Sequence, residues 1–272
     1  MSLAQKHRHR RDSYLLAHKL TYEPSLTYDN AWGQGGKIAM WAKVYQGDVK
    51  DRELIFANDK GEVMAMPYTT RFSKEYQLRT KAKLDELMKY PTDSMFLTLT
   101  IDPNKFHSLR GAYRGIRDGV TKLIHSARMR MLRGSTVFKG WNGQFAYTVE
   151  MQKNGSPHVH IALIGCTWID LEWTRHKWTE VYNLGKQIRA VIVWARYGIA
   201  RYLMKYILKG GSWTTTLLWA LNARAFNRSR AILDQGKDQI AQIKATVWYY
   251  VGSFPIGAIK TYADLVSAME RG

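Results

Sequence analysis

Alternating apolar and polar positions mark strands, and apolar positions recurring every three or four residues mark helices. Both periods occur along this chain, in no regular order. Ile38 to Tyr45 reads as a strand, and Glu53 to Ala57 with Glu62 to Met66 reads as a hairpin turning on Asn58-Asp59-Lys60-Gly61. Phe72 to Lys89 has helical spacing, with Leu78, Leu84 and Leu87 as its expected buried stripe. Met95 to Thr100 alternates, is rich in β-formers and is closed by Asp102-Pro103-Asn104. Leu109 to Arg133 predicts a long basic helix, with Ile116, Val120, Leu123 and Ile124 inward and Arg114, Arg117, Lys122, Arg128 and Arg130 outward. Phe145 to Gln152 and His158 to Ile164 read as strands on either side of Lys153-Asn154-Gly155-Ser156-Pro157, which has turn composition.

Beyond these, the pattern predicts a helix over Asp170 to Tyr182 with Trp173 and Trp178 buried, a β-branched strand over Ile188 to Trp194, and a helix over about Ile199 to Leu208. A basic segment from Arg224 to Arg230, a polar helix around Asp234 to Lys244 and an aromatic strand from Val247 to Val251 follow. Strands interleaved with helices, without a regular βαβ rhythm, predict an α+β fold with a mostly antiparallel sheet of four or five strands. No internal repeat or low-complexity linker interrupts the chain.

With 272 residues the chain is long enough to bury a sizeable core without disulfides. Cys166 is its one cysteine, which excludes an intramolecular disulfide and a Cys-rich zinc module. It reads as a buried structural thiol in a reducing setting. The formal net charge of +19 is spread over the chain, and such a field attracts polyanions, nucleic acid above all. The bland alternative is the solvated basic surface of a protein from a salt-rich or hot environment. Ten Trp and sixteen Tyr supply aromatic platforms, most expected in the core and some able to stack bases. No run approaches the roughly 18 apolar residues of a transmembrane helix. Met1 to Arg11 is basic without a following apolar stretch, so it reads as a flexible arm and not a secretory signal. The expectation is a soluble cytoplasmic protein with no membrane partner. Trp32 to Lys37 imitates a phosphate-binding loop, but Ala31 stands where the first Gly belongs and Ile38 where Ser or Thr is needed.

Chemistry concentrates in Ser156-Pro157-His158-Val159-His160. On a strand, His158 and His160 share one face, and two imidazoles there make half of a metal site. A hairpin folding at Asn154-Gly155 brings Glu150 back beside them. Farther on, Tyr202 and Tyr206 lie one helical turn apart, with Lys205 and Lys209 one turn apart beside them and Leu203 and Ile207 as anchors. Thr98 and Thr100 face the same way on their strand, as a polar floor would. Each feature has an ordinary structural reading too: hydrogen-bonded strand histidines, and an amphipathic helix with Tyr and Lys.

In chain order, Phe96-Leu97-Thr98-Leu99-Thr100, His158-Val159-His160 and Tyr202-Leu203-Met204-Lys205-Tyr206 resemble the three motifs of the HUH endonucleases that initiate rolling-circle replication. The resemblance is closest to the phage and plasmid initiators with two tyrosines separated by three residues, and it covers about Met95 to Lys209. It implies a central antiparallel β-sheet of about five strands flanked by helices. His158 and His160 would bind Mg²⁺ or Mn²⁺, with Glu150 as third ligand. Tyr202 would be the nucleophile, with Tyr206 for a second attack and Lys205 to assist. Thr98, Thr100, Arg201 and Lys209 are the residues expected to contact DNA. The activity implied is nicking and religation of single-stranded origin DNA through a 5′-phosphotyrosyl bond, leaving a 3′-OH primer.

An HUH transposase or a plasmid-mobilisation relaxase would share these residues, and the non-enzymatic alternative is a basic origin-binding module. The partners expected are single-stranded or supercoiled origin DNA, a separate helicase, because no Walker motif is present, and a replicative polymerase. The domain expectation is a basic N-terminal region over 1–90 partly packed on the core, an endonuclease core over 91–212, and a C-terminal extension over 213–272.

Overall fold

The structure, a computed structural model, describes residues 38, 42–68, 71–73, 76, 78–80, 82, 92–152, 156–194, 198, 201–203, 206, 211–224, 226–229 and 248–271. In chain order the strands are β1 (Arg52–Ala57), β2 (Val63–Pro67), β3 (Ser94–Thr100), β4 (Phe138–Lys139), β5 (Phe145–Met151), β6 (Pro157–Ile164), β7 (Trp168–Ile169), β8 (Ile188–Val193), β9 (Phe226–Arg228) and β10 (Tyr249–Pro255). The helices are α1 (Leu109–Leu132), α2 (Leu171–Arg175), which runs on as a π-helix over His176–Val181, α3 (Gly211–Ala220) and α4 (Tyr262–Glu270).

The central sheet has five strands in the order β8-β3-β6-β5-β9, every neighbouring pair antiparallel. The fold is therefore α+β around an antiparallel sheet, as the sequence pattern predicts. A three-stranded sheet, β10-β1-β2, joins the hairpin of residues 52–67 to the end of the chain, and β4 pairs with β7.

The pleat gives the central sheet two unlike faces. One carries Leu97, Leu99, Tyr147, Val149, Val159, Ile161 and Leu163, which pack with Ile116, Val120, Leu123 and Ile124 of α1. Ser108 caps that helix by accepting from the Gly111 amide at 3.0 Å. Trp178, fully buried, reaches the end of β3, where its Nε1 donates to the Thr100 carbonyl at 3.0 Å. The other face is apolar only at one end, where Phe96, Ala146, Ala162, Ile164 and Val193 meet Leu203, with Tyr202 and Tyr206 packed against them. Its other end carries Thr98, His160, His158, Glu150 and Thr100.

Several expectations are corrected. Residue 38 and residues 42–50 are helical, not a strand. Ile38 and Ala42 are buried, and Tyr45 packs on Trp219 with ring centroids 5.2 Å apart. The spacing 38, 42, 45, 49 is a helical stripe that a short apolar run conceals. Leu78 is 55% exposed, so it is no part of a buried stripe; Leu84 and Leu87 lie outside the described residues, as do the Asn154-Gly155 turn and the polar segment 234–244. The basic Arg224 to Arg230 segment contains β9, held by pairing with Ala146, Tyr147 and Thr148. The aromatic strand lies at Tyr249–Pro255, later than Val247 to Val251. Helices α3 and α4 were not foreseen, although Thr261 and Asp264 form a capping box at the start of α4. Among the described residues, no helix is long and apolar enough to cross a membrane.

Gly185 shows how tightly the polar end of the sheet is closed. A Cβ there would lie 2.3 Å from the Thr100 carbonyl oxygen and 2.9 Å from Ile101 Cα, both backbone atoms without room to give. Gly185→Ala is expected to destabilise the fold by about 1–3 kcal/mol through overpacking. Urea denaturation of the two proteins side by side measures it.

Candidate functional site

Strand register assembles the polar cluster. Thr98 lies opposite His160 and Thr100 opposite His158 across the β3–β6 pair. On the other side of β6, Thr148 lies opposite His160 and Glu150 opposite His158. Because the side-chain period of a strand is two, all six point to the same face.

Glu150 Oε2 stands 2.8 Å from His158 Nε2 and 3.0 Å from His160 Nε2, and the two Nε2 atoms are 3.1 Å apart. These three groups can hold a metal ion, one ligand atom from each. The far side of each ring is also engaged. Thr98 Oγ1 meets His160 Nδ1 at 3.0 Å, and the Gln152 carboxamide nitrogen is placed 3.1 Å from His158 Nδ1. With the proton of His160 on Nδ1 and donated to Thr98, the Nε2 lone pair is left for a metal. His158 can do the same if the Gln152 carboxamide presents its oxygen to Nδ1, a choice between two chemically similar orientations.

The cluster is partly sheltered: the side chains of His160, His158 and Glu150 are 4%, 17% and 22% exposed. Burial opposes the charge of Glu150, but hydrogen bonds from both histidines and their charges outweigh it and hold the carboxyl at about 2. Burial holds His160 below its ordinary value, against the hydrogen bond to Glu150 that favours its charged form. A neutral imidazole beside a charged carboxylate is the protonation state a metal ion requires.

The tyrosines lie over this cluster. The Tyr206 ring stacks on His160 with centroids 3.7 Å apart, and Phe96 lies beneath, 5.5 Å from both rings. Tyr202 meets Phe96 edge-on at 4.5 Å and lies 5.8 Å from Tyr206. Burial first, then the hydrogen bond to Tyr202 and the nearby charge of Glu150, push Tyr206 up to about 12, while Arg189 works the other way.

Of the residues singled out from sequence, Glu150, His158, His160, Thr98, Tyr202 and Tyr206 come together. Thr100 borders a cavity beside them, and Arg201 is helical and exposed. Lys205 and Lys209 lie outside the described residues. Two neighbours were missed. Gln152 follows Glu150 by two residues, the strand-parity signal by which it could have been found. Arg189 is the lone charge in a β-branched strand; it lies opposite Thr98 and is exposed.

Residues 94–211 match the family model of the ORF2-type replication-associated proteins. That span runs from the first residue of β3 to the first residue of α3, and so contains the whole cluster. The chain is also similar to "Uncharacterized protein 1" of Halorubrum pleomorphic virus 1, at 24% identity over 222 residues, covering 65% of this chain. The match spans 43% of that viral protein's length, less than half.

Divalent-metal binding should follow the protonation of the histidines. Glu150, held at about 2, stays charged throughout the accessible range. His160, held below 6.5, competes for protons only under that value. Mn²⁺ affinity, measured by isothermal titration calorimetry, is expected to be level from about pH 8 to 7 and to fall as the histidines protonate at lower pH. His160→Ala should weaken it by about tenfold or more at pH 7.5.

Proposed function

We propose that this protein is a rolling-circle replication initiator of the two-tyrosine HUH type, which nicks and rejoins single-stranded DNA at an origin by tyrosine transesterification. The observation that carries the reading is the stacking of Tyr206 on His160, beside Tyr202, which puts two phenol side chains against a three-ligand metal cluster. The match of residues 94–211 to a replication-associated family supports it, because that segment contains every member of the cluster.

The donor set fits a hard or borderline divalent ion. Octahedral coordination at about 2.1 Å puts neighbouring ligand atoms about 3.0 Å apart, whereas tetrahedral zinc at similar bond lengths spreads them to about 3.3 Å. The separations of 2.8, 3.0 and 3.1 Å match one octahedral face. Mg²⁺ or Mn²⁺ held by Glu150, His158 and His160 would draw off charge from a scissile phosphate and orient it for in-line attack.

The protein's own groups do the rest. The oxygen of Tyr202 attacks phosphorus, a Tyr–O–P bond forms as the P–O3′ bond breaks, and the phenolic proton is passed to the departing 3′-oxygen. Tyr206 keeps its proton, held at about 12, and donates its hydrogen bond to Tyr202, so it favours a developing phenolate on its neighbour. Tyr202 therefore acts first, and Tyr206 acts when the replicated circle is resolved. Phosphotyrosine conserves the energy of the bond, so a 3′-OH reverses the step without ATP. Arg189 and Arg201, both exposed, are suited to the strand's phosphates. Lys205 and Lys209 would add cations on the tyrosine helix. The whole reading places the protein with origin DNA as substrate and with a separate helicase and polymerase as partners.

Incubation with Mn²⁺ and end-labelled single-stranded origin DNA, followed by a denaturing gel, is expected to give a covalent protein–DNA adduct. Tyr202→Phe should lower single-turnover adduct yield by about 10²-fold or more, while Tyr206→Phe retains it and loses strand joining. An adduct that persists when both tyrosines are replaced overturns the reading. His160→Ala should abolish cleavage while sparing DNA binding.

A further inference from the structure

The cluster has a neighbour for which the proposed chemistry has no use. A cavity of about 300 Å³ opens at the end of β3, bordered by Thr100, Asp102, Gln152, Lys186 and Gln187. It communicates with the metal cluster through side chains: Thr100 is the cross-strand partner of His158, and the Gln152 carboxamide lies 3.1 Å from His158 Nδ1. His158 therefore presents one ring nitrogen to Glu150 and His160 and turns the other toward the cavity wall.

The floor is rigid. Thr100 donates its amide to the Gln187 carbonyl at 3.1 Å, its carbonyl accepts from Trp178 Nε1 at 3.0 Å, and the Asp102 amide donates to the Leu184 carbonyl at 2.7 Å. Gly185 presses against this backbone without space for a Cβ. Asp102 is further fixed by accepting from the Asn104 amide at 3.1 Å.

The lining points to one kind of ligand. About 300 Å³ is the lower end of ordinary ligand pockets, enough for a single nucleotide and too little for duplex. Gln152 and Gln187 each carry a carboxamide with a donor and an acceptor side by side, the arrangement that pairs with the edge of a base. Lys186 and Gln187 are exposed at the mouth, where Lys186 sets a cation at the entrance. Single strands are read by such pockets because an unstacked base offers its edge.

We propose that this cavity is a subsite for one unstacked nucleobase of the DNA strand, its edge read by Gln152 and Gln187 and its phosphate faced by Lys186. The subsite rests on the reading of the adjoining cluster as a DNA-nicking centre. Through Gln152, base and metal ligand share one carboxamide, so the nucleotide bound here sets the register in which the next phosphate reaches the cluster.

The test is an abasic scan. A fluorescein-labelled single strand carrying the origin is prepared with one abasic site at each position in turn, and equilibrium binding to the full chain is measured by fluorescence anisotropy. One position is expected to weaken binding by about tenfold in the unmodified protein. With Gln187→Ala or Lys186→Ala, the penalty at that position should shrink below about twofold while other positions keep theirs. Both side chains are at the surface, and if one variant fails to fold the other carries the same comparison. Identical abasic profiles in all three proteins overturn the subsite. Because binding needs no cleavage, identical profiles with a covalent adduct sink the subsite alone; a variant-dependent position without an adduct supports the subsite and sinks the nicking reading.

Discussion

The pairing register of β5, β6 and β3 is the constraint on which everything at the site depends. Thr100 and Glu150 flank His158, and Thr98 and Thr148 flank His160, with no bulge in either pairing. A slip of one residue between β5 and β6 would turn Glu150 into the face packed on α1 and bring Val149 beside the histidines. Such a slip would bury a carboxylate and expose Val149 and Tyr147 together, so the hydrophobic face enforces the geometry of the polar one. The cluster needs no separate device to hold its shape.

The same sheet face is graded along its strands. At one end Ala146, Ala162 and Ile164 are small or apolar and accept Leu203, which anchors the helix carrying the tyrosines. At the other end Glu150 and His158 remain open enough for a ligand to approach. Phe96 lies at the boundary and touches both regimes, packing with the apolar set while its ring faces His160, Tyr202 and Tyr206. A helix seated by Leu203 therefore delivers its tyrosines to the edge of the polar end. The net charge of +19 surrounds a centre whose own carboxylate is negative, a separation that lets a basic surface gather a polyanion while the site itself attracts a cation.

Much of this was legible from residues alone. The alternation in Met95 to Thr100 and His158 to Ile164 identified the two central strands, and parity along each strand paired His158 with His160 and Thr98 with Thr100 on a common face. The long basic helix and the burial of Trp173 and Trp178 followed from spacing too. Where local patterns fit two periods, sequence reading failed. Ile38 to Tyr45 is short enough to suit either period, and Trp219, far along the chain, decides it by packing on Tyr45. Strand β9 has little intrinsic preference and exists because Ala146 to Thr148 offer it an edge. Gln152 and Arg189 were passed over because a single polar residue near a strand has no meaning until its neighbours are known.

The sequence by itself determined which residues share a face, because strand and helix periods are local properties of the backbone. It also determined the chemical inventory, two imidazoles, a carboxylate and two phenols. Only the tertiary structure decided the distances among them, the stacking of Tyr206 on His160 and the cavity beyond His158. Those depend on which strand lies beside which and how closely Gly185 lets the chain approach Thr100. Contacts between segments so far apart in sequence are set by the packing of the whole core, which no local pattern records.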